Sequence, residues 1–272
     1  MALDQSVLLA PTSGSKAVLI SVRGLTKSFG PPRRRLEALR PLDLEITEGE
    51  FVSIVGPSGC GKSTLLKLVA GLIPMTSGEI RIGDRSVLGP QTGVGIVFQS
   101  PVLLPWRRVL GNILLQSEMR RLPRDFARAR AGELISMAGL DGFENAYPWQ
   151  LSGGMQQRVS ICRALLHDPQ VLLMDEPFGA LDAMTREKMN LELQRFWMRD
   201  RKTVLLITHS IPEAIFLGDR VLVMSERPGA IIADYPIHLP RARTLDMMGS
   251  PEFAHYAKAV RAHFYSQGSL DH

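Results

Sequence analysis

Residues 56–64 read GPSGCGKST and fit the pattern G-x-x-x-x-G-K-[ST] from Gly56 through Ser63. An apolar, β-branched run, FVSIV (51–55), precedes them, and a helical pattern, KSTLLKLVAGLI (62–73), follows and stops at Pro74. A strand, a glycine-rich turn and a helix in that order admit few folds. Gly56, Gly59 and Gly61 let the backbone wrap an anion with its N–H groups, and the helix N-terminus adds its dipole. Pro57, Ser58 and Cys60 then supply backbone to the cup. Lys62 can reach the β- and γ-phosphates of a nucleotide, and the Ser63 hydroxyl, next to Thr64, can ligate Mg²⁺.

Three more apolar runs read as doubly covered parallel strands: VGIVF (94–98), VLLM (171–174) and TVLLIT (203–208). A helical stretch, TREKMNLELQRFWMRD (185–200), separates the last two, and strand-helix-strand of this kind indicates an α/β parallel sheet. Ahead of it, AVLISV (17–22) and LDLEI (42–46) predict half-buried strands. Residues 100–168 have another texture, with helical periodicity as in FARARAGELISMAGL (126–140) and no strand, and are expected to form a helical insertion. From residue 226 come a turn at Pro228-Gly229, a strand-like AIIADYPI (230–237) and a final helix near 251–266.

In a parallel α/β sheet, ligands gather beyond the carboxyl ends of the strands. The residues that follow the apolar runs are Gln99, Asp175 with Glu176, and His209. Beside the glycine-rich loop they form a constellation around Lys62. Asp175 is expected to hold Mg²⁺ and Glu176 to act as general base toward a water in line with the γ-phosphorus. Gln99 would offer its carbonyl oxygen to the metal or to that water. His209 would donate to a γ-phosphate oxygen and pin Glu176. Asp175 as a helix cap and His209 as a satisfied core histidine are the bland alternatives.

Bulk properties narrow the class further. The formal charge of +5 and pI near 9.5 would suit nucleic acid or anionic lipid, but the charges are interspersed. The densest basic run, Arg33-Arg34-Arg35, reads as a solvated loop, and no nucleic-acid partner is expected. Two cysteines, Cys60 and Cys162, give no disulfide framework and indicate a reducing compartment. Cys60 reads first as a tolerated small residue that contributes only backbone; the alternative is a thiol activated at a helix N-terminus beside Lys62, which would react with maleimide unless nucleotide protects it. No run approaches the roughly 18–20 apolar residues that span a bilayer. Residues 1–17, with Asp4 where an export signal would be basic, are expected to be a flexible tail.

LSGGMQQR (151–158) is a second anion-binding device in the same chain: Ser152, Gly153 and Gly154 open a helix with an apolar stripe at Met155, Val159, Cys162 and Leu166. The ordered set Lys62, Gln99, LSGGMQQR, VLLMDEP, GALD (179–182) and His209 resembles the ATP-binding cassette (ABC) ATPases over roughly residues 18–225. That resemblance implies a P-loop NTPase (RecA-like) parallel-sheet core, with an N-terminal antiparallel β subdomain and an inserted α-helical subdomain. The expected boundaries are 18–99 and 159–225 for the two parts of the core, 100–158 for the helical part with its signature, and 226–272 for a C-terminal extension. It also implies ATP and Mg²⁺ as ligands and a homodimer in which each LSGG caps the ATP held by its twin. Asp182 would then lie along the dimer seam, and Phe29 in LTKSFG would stack on adenine.

The same resemblance implies two transmembrane permease subunits. The expected docking surface is SPVLLPWRRVLGNI (100–113), with Leu103, Leu104 and Trp106 exposed between Pro101 and Pro105; internal packing of some of them is the alternative. A solute-binding protein would complete the system. The chain would sit peripherally on the cytoplasmic face of the inner membrane and touch the membrane only through the permease. FQSPVLLPWRRVLGNI and MDEPFGALDAMTRE further resemble the ATPase subunits of bacterial nitrate/sulfonate/taurine-type importers. An ABC ATPase of another transporter class, or a soluble one uncoupled from transport, is the alternative. A P-loop kinase is set aside by LSGG and by Glu176 after Asp175, and a non-enzymatic nucleotide module by intact Glu176 and His209.

Overall fold

The computed structural model describes residues 17–265, so the expected tail lies outside the described residues apart from Ala17, as do residues 266–272. Two long strands, β1 (Val18–Phe29) and β2 (Leu36–Thr47), pair antiparallel with register shifts. They run well past the short stretches in which alternation is visible. After β3 (Phe51–Val55) and α1 (Lys62–Val69), the chain returns to β1 with β4 (Ser77–Ile82) and its hairpin partner β5 (Arg85–Ser86), then enters β6 (Val94–Val97). α1 ends before the predicted Pro74. Gly71, with φ +70°, turns the chain where a Cβ would collide with the backbone of Gly89.

Four helices and no strand occupy the stretch between β6 and the next strand. They are α2 (Val109–Ile113), α3 (Leu115–Arg120), α4 (Arg124–Met137) and α5 (Gly153–Leu165). α5 runs unbroken through residue 158. The chain continues with β7 (Val171–Asp175), α6 (Ala183–Asp200), β8 (Thr203–Ile207), α7 (Ile211–Leu217), β9 (Arg220–Met224), β10 (Ile231–Pro236) and α8 (Pro251–Tyr265).

The larger sheet has the order β10-β9-β3-β8-β7-β6, parallel except for β10 at its edge. This is the α/β P-loop core that the sequence predicts, with the four-stranded sheet β2-β1-β4-β5 as its antiparallel companion. Because successive strand residues face opposite ways, the sheet divides its apolar side chains between two cores. Val52, Ile54, Val171, Leu173, Leu205 and Ile207 pack with α1 and the antiparallel sheet. Phe51, Val55, Leu172, Met174, Val204 and Leu206 pack with the helices on the other face. The runs look uniformly apolar because both faces are covered.

One strand order decides the chemistry. β8 lies between β3 and β7, so three neighbouring carboxyl ends carry, in turn, the glycine-rich loop, Thr208-His209 and Asp175-Glu176. With strands about 4.8 Å apart, the loop and the carboxylate strand are spaced by about 10 Å, enough to admit a phosphoryl group and a water.

The C-terminal segment is fastened by a buried guanidinium. Arg243 is 2% exposed and donates through Nη1 to the carbonyls of Ile215, Phe216 and Gly218 at the end of α7, and through Nη2 to those of Ile237 and Leu239. The Gln194 side chain of α6 donates to the Arg243 carbonyl and accepts from the Arg243 N–H. Burial, with Arg241 nearby, pulls the Arg243 pKa down to about 9, which leaves it charged at neutral pH. Arg243→Met should strand these carbonyls and destabilise the fold by roughly 3 kcal/mol, given the usual worth of buried bonds to a charged donor. Urea titration would show the lowered midpoint.

Candidate functional site

The turn between β3 and α1 is a main-chain cup. At its end Gly61 has φ +112°, and a Cβ there would lie 2.7 Å from Leu39 Cδ2 and 3.0 Å from the Ala38 carbonyl. Conformation and the close approach of β2 both require glycine. Lys62, 5% exposed, donates from Nζ to the Gly56 carbonyl (2.7 Å) and the Pro57 carbonyl (2.8 Å), which keep the ammonium inside the turn. Cys60 is buried, so its thiol belongs to the core. The maleimide-reactive reading is thereby corrected: packing shields the sulfur without any help from a ligand. Cys162 is likewise buried, and burial pushes its thiol up to about 12.

The Ser63 hydroxyl donates to Asp175 Oδ1 at 2.8 Å, joining the first turn of α1 to the end of β7. Asp175 is therefore no helix cap. Burial raises its pKa, and the charge of Glu176 adds to that, while the Ser63 bond, Lys67 and Lys62 oppose it. A hydroxyl and a carboxylate in contact suit Mg²⁺, which binds through one or two carboxylates, waters and substrate phosphates more readily than in an all-protein cage. The described residues hold no cluster of three or more His, Cys, Asp or Glu that could ligate a metal alone.

Glu176 stands at the next position with φ +46°, a left-handed conformation costing a non-glycine residue about 1–3 kcal/mol. Its N–H donates to the Ile207 carbonyl of β8 at 2.8 Å, which holds the backbone there. The side chain thereby turns toward two partners on other strand ends. Gln99 Nε2 donates to Glu176 Oε2 at 3.4 Å, and His209 Nδ1 lies 3.2 Å from the same oxygen. The imidazole that carries a proton on Nδ1 donates to the carboxylate and leaves Nε2 for another group. Gln99 presents its amide N–H₂ to Glu176, which leaves its carbonyl for a different ligand.

A cleft of about 230 Å³ opens over the cup, with Phe29, Ser58, Lys62, Thr64 and Glu176 in its wall. Phe29 is 41% exposed at the end of β1, and Lys27 Nζ lies 4.7 Å from its ring centroid. An open aromatic face beside a phosphate cup can receive a base. Arg227 completes the wall and donates from Nε and Nη2 to the Gly59 carbonyl at 3.1 and 2.9 Å. No local pattern marks Arg227: it reaches the cup from a turn after β9, in a part of the sequence without a motif.

Ser152, Gly153 and Gly154 are elsewhere. Ser152 is exposed and caps α5, its Oγ accepting from the Met155 N–H at 3.3 Å. A Cβ at Gly154 would come within 3.0 Å of Thr185 Cγ2 at the start of α6. None of the three lines the cleft over this chain's own loop. Asp182 caps α6, accepting from the Thr185 N–H at 3.0 Å, and bonds to Thr185 hold its carboxyl below the usual range. The two caps sit side by side on an exposed edge.

The loop after Gln99 is tied to α5. Arg163, in that helix, donates to the Val102 and Pro101 carbonyls at 2.8 Å each. Gln157 reaches the Phe98 carbonyl, and buried Asn112 bonds both the N–H and the carbonyl of Leu104. Val102 and Trp106 are left 60% and 70% exposed. The expected exposed patch is corrected in part: Leu103 packs against the helical core and Leu104 is half-buried, because the pinned backbone turns them inward.

Comparison with known proteins agrees with this geometry. The sequence signature of the family described as ABC transporter matches residues 39–179. The taurine import ATP-binding protein TauB of Rhizobium johnstonii is 46% identical over 242 residues, covering 87% of this chain and 92% of its own length. The aliphatic sulfonates import ATP-binding protein SsuB of Bacillus subtilis is 42% identical over 258 residues, covering 94% and 97%. Among solved structures, a dimeric ATP-binding cassette in a post-hydrolysis state bound to ADP and Pi aligns with a TM-score of 0.72. It is 35% identical and covers 82% of this chain and all of that one. Fold, cup and sequence kinship converge, and the chain belongs to the ABC transporter family as a nucleotide-binding, ATP-hydrolysing cassette.

Proposed function

We propose that this chain energises a membrane importer for a small solute, an aliphatic sulfonate, taurine, nitrate or a similar compound, through ATP-driven closure of a head-to-tail homodimer. The observation that carries the reading is the exposed anion-binding cap at Ser152–Gly154, which contributes nothing to its own chain's cleft. A two-fold pair gives it a ligand, because each cap then meets the nucleotide in the other cup. Kinship with taurine and sulfonate import subunits supports the solute class. No helix among the described residues is long and apolar enough to cross a membrane; in this reading the path for solute is assigned to other subunits. Two permease subunits and a solute-binding protein fill those roles, with this chain on the cytoplasmic face of the inner membrane.

The residues divide the work. The N–H groups of the loop from Ser58 to Thr64 cradle the phosphates, Lys62 neutralises them, and Phe29 stacks on adenine, a contact worth about 1–3 kcal/mol per base. Ser63 and Asp175 would hold Mg²⁺, with the Gln99 carbonyl on the metal or on the attacking water; the bound metal would offset phosphate charge. Glu176 removes a proton from the attacking water. His209 orients Glu176 through Nδ1 and donates through Nε2 to a γ-phosphate oxygen. Ser152, Gly153 and Gly154 complete the partner's site, and Asp182 lies along the seam between the two. Residues 18–99 and 159–225 form the ATPase core, residues 100–158 the helical part that docks the permease, and 226–272 an extension.

Lys62→Ala should abolish nucleotide binding in equilibrium titration, and unchanged affinity would remove its assigned role. Glu176→Gln should retain binding, slow hydrolysis by about 10²–10⁴-fold as expected for a lost general base, and accumulate dimer. Light scattering that finds this variant monomeric in saturating ATP would count against the shared site. Trp106→Ala should keep basal hydrolysis and lose solute-stimulated hydrolysis in proteoliposomes with the permease. A loss of basal activity instead would make Trp106 part of the fold.

A further inference from the structure

Lys27 is a buried cation that the assignments above leave without a task. It lies near the end of β1, is 8% exposed, and forms no ion pair with any carboxylate among the described residues. An ammonium taken out of water is costly unless other groups accept it, and here two do. Nζ donates to the Pro74 carbonyl at 2.6 Å and stands over the Phe29 ring, 4.7 Å from its centroid.

Both contacts follow from the path of the chain. Residues two apart in a strand share a side, so Lys27 and Phe29 project together. The segment that leaves α1 is laced to the same strand end. The Thr76 N–H donates to the Thr26 carbonyl at 3.0 Å, and the Ser28 N–H donates to Thr76 Oγ1 at 2.9 Å. That lacing brings Pro74 within reach of the ammonium. Because α1 starts at Lys62 in the phosphate cup, Lys27 ties the aromatic wall of the cleft to the helix that opens the cup. Phe29 itself closes β1, and Gly30, with φ +88°, turns the chain away directly after it. With its cross-strand partner Leu36, which is also exposed, Phe29 makes the apolar side of the cleft. An open side chain of this kind keeps rotamer freedom that an arriving ligand must remove.

We propose that Lys27 is a positioning residue for nucleotide binding: seated on the Pro74 carbonyl, it holds the Phe29 ring through a cation–π contact and presets the ring's other face for the base. The proposal rests on the reading of Phe29 as the adenine platform given above. The ammonium attracts the negative face of the ring, so it favours the one orientation in which that face covers the charge. The base then stacks on a ring already ordered. Phosphates in the main-chain cup do not bind through the ring, so the effect belongs to the base end of the ligand.

The test is equilibrium binding of ATP and of inorganic tripolyphosphate, each with Mg²⁺, to the full chain, with thermal melting recorded for each variant. Lys27→Gln keeps a donor for Pro74 and removes the charge. It should weaken ATP roughly three- to tenfold, the range of a partly desolvated cation–π contact, and leave tripolyphosphate within about twofold. Lys27→Arg, whose guanidinium also stacks on aromatic faces, should hold ATP within about twofold of the parent. In a Phe29→Ala background Lys27→Gln should cost nothing further, because the ring through which it acts is gone. Lys27→Met, without charge or donor, should show the same split between the two ligands, and it decides the matter if Lys27→Gln fails to fold. Parental ATP affinity in Lys27→Gln, an equal loss of ATP and tripolyphosphate, or an undiminished effect without the ring overturns the proposal. Phe29→Ala alone runs alongside. If it binds ATP as the parent does, the platform reading fails and this inference with it; if it weakens ATP while Lys27→Gln matches the parent, only this inference falls.

Discussion

A single short contact between Ser63 and Asp175, 2.8 Å across, joins the phosphate cup to the acidic end of a strand two places away in the sheet. It forms only if β3, β8 and β7 are parallel and in register, because each must deliver its carboxyl end to the same rim. The sheet register is fixed by apolar side chains buried on both faces, so the placement of the polar rim is a by-product of core packing. What happens at the rim then depends on β8, whose insertion sets Glu176 and His209 beside the cup instead of behind it.

The rim is a place where local preferences are overruled. Glu176 holds a left-handed backbone, Asp175 keeps a carboxyl that burial would rather protonate, and Lys62 hides an ammonium among carbonyls. Each departure is held by neighbours on different strands: Ile207 for the backbone of Glu176, Ser63 for Asp175, Gly56 and Pro57 for Lys62. Such over-determined positions are preorganised, since little rearrangement is left to do when a triphosphate arrives.

Much of this was legible before any coordinates, and the remainder was hidden for physical reasons. The cup and the strand-end residues Gln99, Asp175, Glu176 and His209 were visible because motif and strand end are local in sequence. β9 was not predicted, although RVLVM is as apolar as its neighbours, because no motif drew attention to it. β4 and β5 lack alternation, since the pairing of β4 with β1 and of β5 with β4, and not burial, defines them. Arg227, Arg163 and Arg243 were missed for a common reason. Each acts on carbonyls far along the chain, and a carbonyl carries no side-chain signature to search for. Leu103 was misplaced because exposure was read from flanking prolines, while the inward turn is imposed by Asn112 and Arg163.

The fork of Arg163 on Pro101 and Val102 makes α5 and the loop before it one rigid lever. Its short arm carries Trp106 and its far tip carries Ser152. In the pair proposed above that tip would rest on the nucleotide of the opposite cassette. Damage to the arm of one chain would then be felt at its sister's phosphates, wiring the two halves crosswise.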